Sequence, residues 1–143
     1  MGKIINAFLI LVMTAGCCLA VVGVGSSAAV GSIDEPFSVK EYSEFHHLLH
    51  PLQHEALPAK DFKRIRANAG ELVKRGQAMV RVGVPKGTAE KQVEEFRREL
   101  KKFKDALGKF RQDSKKGTDE QLEASFSAVH DSFEMLAGML PRK

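Results

Sequence analysis

Between Val93 and Phe110 the apolar residues Val93, Phe96, Leu100, Phe103, Leu107 and Phe110 alternate spacings of three and four without a break. That is the seam of a helix packed lengthwise against other helices. A half-buried strand would place apolar residues at every second position, and no stretch of the chain does so. A second seam follows through Leu122, Phe126, Val129, Phe133, Leu136 and Leu140, and Pro141 closes it. Upstream, Phe62, Ile65, Ala69, Leu72, Met79 and Val80 share one face of a segment over about 59–82 that stops near "GVPKG". The first segment opens at "FSVKEY" and runs to Pro58, which cannot continue a helix.

Two start signals accompany these seams. Ser38 and Glu41 have the spacing of a capping box, with Phe37 and Tyr42 at the positions of a hydrophobic staple. Thr118 and Gln121 repeat the box ahead of the last segment. Four amphipathic helices joined by short loops predict an all-α, up-down-up-down four-helix bundle over residues 38–143, with crossing angles near 20°.

Residues 1–29 read as an export leader: a basic start at Lys3, an apolar run from Ile4 to Met13, then small residues through "TAGCCLAVVGVGSSAAVGS". Three fates fit it. Cleavage after Ala29 would release a soluble domain. "TAGC" resembles a bacterial lipobox ending at Cys17, with Thr14 where leucine is usual. The apolar stretch is also long enough to stay as a membrane anchor. Each version exports residues 38–143 behind a polar tether at 30–37, to a bacterial periplasm or cell envelope. Both cysteines, Cys17 and Cys18, lie in the leader, so the folded domain carries neither disulfide nor thiolate. The net charge of +4 is mild and mixed along the chain, which argues against a nucleic-acid partner. Membrane attachment through the N-terminus and pairing with a second copy both fit this composition.

Four of the five histidines fall within "FHHLLHPLQHE", Phe45 to Glu55. On a helical wheel His50 and His54 stand about 40° and 80° round from His46, on one flank of the apolar face. His47, at about 100°, faces furthest from it. In the last helix His130 lies at the edge of the seam with Glu134 one turn on. Measured along the rods, His46 and His50 come roughly 12 and 18 Å from one end, and His130 roughly 15 Å. The expectation is therefore a transition-metal site of His46, His50, His54 and His130. Neutral imidazole with no thiolate suits Zn(II), Cu(II), Ni(II) or Co(II). Glu55 and Glu134 are the oxygen candidates. Pro51 leaves the carbonyl of His47 without its donor, so the helix must bend or open there.

Duller roles are expected elsewhere. Arg64, Arg66, Lys74 and Arg75 form the wet face of the second helix, where Gly70 and Gly76 permit close helix approach. Glu94 and Glu95 pair with Arg98 along the third helix. Met135 and Met139 pack beside the seam.

The exported four-helix pattern resembles the cytochrome c′-like bundles over the whole domain, at the level of architecture. That family attaches haem through C-x-x-C-H on its last helix. The corresponding stretch here, "FSAVHDSFEML", keeps His130 but lacks both cysteines, which excludes covalent haem. The segment "FHHLLHPLQHEALPAKDFKRIRANAGEL" also looks like an element of uncharacterised exported bacterial bundle proteins, a resemblance that implies no activity. Three functions compete: a metal-binding protein that buffers, delivers or senses a transition metal; non-covalent haem binding between helix one and His130; and a periplasmic chaperone or adaptor. No nucleophile motif, carboxylate pair or glycine-rich phosphate loop points to an enzyme.

Overall fold

The computed structural model describes residues 37–141. The leader, most of the tether and both cysteines lie outside the described residues, as do Arg142 and Lys143. The domain is all-α, with no strand among the described residues. Helix α1 spans Lys40–Pro51 and continues through a π-helical turn, Leu52–Ala56. Helix α2 spans Phe62–Val82, α3 spans Val93–Lys116 after a single 3₁₀ turn, and α4 spans Asp119–Ala137. Gly83, at φ 70°, turns the chain out of α2. No described helix is long and apolar enough to cross a membrane.

The core is the one the seams imply. Phe96, Phe103 and Phe110 of α3 and Phe126, Val129 and Phe133 of α4 are fully buried. Phe45 of α1 packs edge-on against Phe103 at 5.4 Å and tilted against Phe133 at 5.2 Å, so α1, α3 and α4 share one aromatic centre. Each such ring contributes about 1.5–3 kcal/mol through burial. Val93 and Leu100, at the seam's outer end, stay partly exposed.

The second capping box forms as expected: Thr118 Oγ1 accepts from the Gln121 amide, and Gln121 Oε1 accepts from the Thr118 amide. The first does not. Ser38 Oγ instead donates to the carbonyl of Pro141 at 2.7 Å, tying the entry of α1 to the residue beyond α4. Val39 becomes the N-cap without a side-chain bond. Helix α2 starts three residues later than its apolar pattern suggests, because Asp61 caps it by accepting from the Arg64 amide. Of the two glycines in α2, only Gly76 serves close approach. A Cβ there would stand 2.5 Å from Leu107, whereas one on Gly70 would meet nothing within 4 Å.

Arg66 also departs from its expected place on the wet face. Its guanidinium reaches the α3–α4 turn, donating to the carbonyls of Asp113, Ser114 and Gly117 and to the Asp119 carboxylate. The Ser114 carbonyl is one that the end of α3 leaves without an intrahelical partner, whereas that of Asp113 also accepts from the Gly117 amide at 2.8 Å. Arg66→Ala is expected to lower stability by about 2 kcal/mol in a urea melt, as a charged donor to several acceptors is removed. Arg66→Lys should restore only part of it, since an ammonium cannot fork across the turn.

Tyr42 carries the opposite kind of feature. It is fully buried, and its hydroxyl finds no hydrogen-bond partner among protein groups. Burial holds the phenol protonated, well above its usual range. Stripping an O–H of water without replacement costs stability. Tyr42→Phe is therefore expected to raise the unfolding free energy by about 1 kcal/mol, read in the same urea melt.

Candidate metal centre

The site begins at Pro51. Its missing N–H denies the His47 carbonyl its α-helical donor, and directly after it the backbone widens. Leu57 donates to the Leu52 carbonyl at 2.9 Å and Asp61 to the Ala56 carbonyl at 2.8 Å, both five residues back. Such π turns have about one residue more per turn than an α-helix, and they concentrate at functional sites. The consequence for the imidazoles is geometric. In α winding each step of four residues drifts round the axis by about 40°. The wider turn cancels that drift between His50 and His54, and the two rings come to 4.3 Å centre to centre.

His46 continues the column one turn back, 5.2 Å from His50. It is the half-buried end, lying over Phe133 at 5.9 Å with Phe37 edge-on at 5.4 Å. Burial, helped by His50 alongside and opposed by Glu134, pushes the His46 imidazole below its usual pKa, which favours the neutral form. His50 and His54 are exposed at the other end. His47 is exposed too, and its ring pairs with none of the column's.

Helix α4 supplies the facing wall. His130 stands edge-on to His54, with ring centres 6.5 Å apart. The level match anticipated for His46 and His50 thus falls on His54 instead, drawn across by the π turn. His130 Nδ1 lies 3.2 Å from Asp131 Oδ1, and Nε2 lies 3.9 Å from Glu134 Oε1. With Nδ1–H donating to Asp131, Nε2 keeps its lone pair, the arrangement in which a carboxylate orients a ligating histidine. Asp131 was not among the expected residues, although it adjoins His130 in sequence.

These spacings can be compared with coordination chemistry. Two imidazoles on one tetrahedral metal, with nitrogens about 2.0–2.1 Å away, hold their ring centres about 5 Å apart and their ligand atoms about 3.4 Å apart. The ring separations here bracket that value, and the His130–Glu134 gap exceeds it by about half an ångström. Among the described residues no three His, Asp or Glu side chains converge on one point as they stand. Rotation of the exposed rings of His50 and His54 would be needed to close a site.

Other carboxylates are committed. Glu55 accepts from Arg64 Nη1 at 3.0 Å, a contact that its wheel position did not reveal. The buried carboxylates Glu99 and Asp113 are held below their usual range by Lys102 and Lys109 on their own helix. Glu134 is the remaining oxygen donor beside the imidazoles.

No protein-family model, curated protein or solved structure matches this chain. A functional reading therefore rests on the residues themselves.

Proposed function

We propose that the protein is an exported, envelope-located transition-metal-binding bundle of up-down-up-down topology, holding one divalent ion between α1 and α4. The observation that carries this reading is the 4.3 Å pairing of His50 and His54 at the π turn, with His130 facing His54 from α4. His50, His54 and His130 supply nitrogen, and Glu134 supplies oxygen. His46, kept neutral by its apolar walls, is the reserve ligand at the buried end. An all-nitrogen-and-oxygen set suits Zn(II), Cu(II), Ni(II) or Co(II).

Exposure of the column supports buffering or delivery over a structural role, because structural metal sites are closed by four protein ligands. The filled interior supports metal over haem. Phe45 packs on both Phe103 and Phe133 where a haem plate would need to enter between α1 and α4. Calorimetric titration with each metal tests the reading. It expects about one ion per chain at neutral pH and an affinity that falls as the pH drops through the imidazole range near 6.5. Absence of binding by every metal at neutral pH would end it.

A further inference from the structure

Although charges of both signs are mixed along the chain, their balance differs from helix to helix. Helix α2 carries six basic residues against one acidic, and α3 nine against five. Helix α4 has five acidic residues and no lysine or arginine between Asp119 and Ala137. That balance leaves two surfaces of unlike charge.

A cleft of about 350 Å³ runs between the outer faces of α2 and α3, and a second of about 270 Å³ extends it over shared residues. Its floor is Ala69, Gly70, Val73, Leu107 and Gly108. It is open because the two glycines hold nothing over it: a Cβ on either would meet no atom within 4 Å. The rim is Lys74, Arg81, Lys104, Arg111 and Lys115. Lys74 answers Glu71, while the other four take part in no ion pair among the described residues. From Ala69 to Arg81 the groove is roughly 18 Å long.

The outward face of α4 is its counterpart. Ala124, Ala128 and Met135 form an exposed stripe, and Met135 at 54 % is the most exposed large hydrophobic side chain among the described residues. Glu120, Asp131 and Glu134 run along one side of it, all exposed. From Ala124 to Met135 the stripe measures roughly 17 Å. Ala124 and Ala128 let that half of the helix backbone sit low in a groove, and the acidic edge meets one side of the basic rim. The cations are spread along the whole groove, which suits a rod charged along its length.

We infer that this face of α4 docks in the α2–α3 groove of a second copy of the chain. The opposite side of α4 is buried in its own core, so the contact joins two molecules. Unlike surfaces meet, so the association is head-to-tail and can extend. It is weak and electrostatic, and it does not depend on the proposed metal reading.

The test uses the chain in the form in which it accumulates in cells, in EDTA so that metal cannot bridge copies. Sedimentation should show mass rising with concentration at about 20 mM salt and a monomer at about 500 mM. Arg111→Glu spoils the groove and Ala124→Trp spoils the stripe, both at exposed positions whose folding is checked by circular dichroism and melting. Each alone should weaken self-association at least tenfold. Mixed, the intact α4 of the first variant and the intact groove of the second should form a 1:1 pair that grows no further. A monomer at low salt up to the highest attainable concentration overturns the inference. So does unchanged association in either variant, or failure of the mixture to pair.

Discussion

Removing the His54 side chain is expected to cost the protein at least two orders of magnitude in affinity for Zn(II) or Cu(II), with little loss of fold. His54 is exposed, so His54→Ala deletes no core contact, and surface changes of this kind usually stay within about 0.5 kcal/mol. Its ring is the link between the other imidazoles, 4.3 Å from His50 and 6.5 Å from His130. Losing it should leave only separated pairs. His130→Ala should do equal damage from the other wall, while His47→Ala, whose ring pairs with none of the others, should change nothing. Pro51→Ala probes the winding itself. A restored amide lets the His47 carbonyl regain its α-helical partner, His54 drifts away from His50, and affinity should fall at least tenfold with all five histidines present. If His47→Ala weakens binding as much as His54→Ala, the column is not the site. Weaker binding from Pro51→Ala alone would point to the backbone and not the rings.

The contrast between the two halves of that site shows what kind of information one sequence carries. Apolar spacing is dictated by burial, so the seams through Phe96, Phe103 and Phe110 and through Phe126 and Phe133 could be read directly. A local bond such as Thr118 to Gln121 is equally legible, since both partners lie within one turn. Ser38 has the same local spacing, but its hydroxyl is claimed by Pro141, more than a hundred residues away, and no spacing rule shows such a partner. Arg66 escaped for the same reason: a wheel assigns it to solvent, whereas its length lets it reach the α3–α4 turn. The histidine flank was visible, and so was the disturbance at Pro51. The direction of that disturbance was not, because a proline can be met by a kink, a break or a widened turn. The choice among them depends on how Leu52 and Ala56 bury themselves against the core.

Phe133→Ala should be the most damaging single truncation, and its second effect separates packing from electrostatics. The ring is fully buried and meets four others: Phe37 at 5.7 Å, Tyr42 at 6.2 Å, Phe45 at 5.2 Å and His46 at 5.9 Å. Emptying that position costs about 3–5 kcal/mol, a large share of the roughly 5–15 kcal/mol that holds a domain of this size. A fall in Tm of about 15 °C or more is expected. The cavity would also open one wall of the His46 pocket. Burial is the largest cause of its lowered pKa, so water entering there should let the value rise toward that of a free imidazole. In the intact protein the neutral form is favoured on folding, so His46 adds stability above about pH 6.5 that is lost as the pH falls through its lowered folded-state pKa. The truncated protein should show a shallower loss over that window. An NMR titration of the His46 ring reads the shift directly, in whatever fraction remains folded. Phe133→Leu keeps most of the volume, so it should recover most of the stability and return the His46 titration toward its original position. If the variant's His46 still titrates as low as before, then Phe133 packs beside the imidazole without shielding it, and the column owes its neutral end to Phe37 and to the neighbouring histidines.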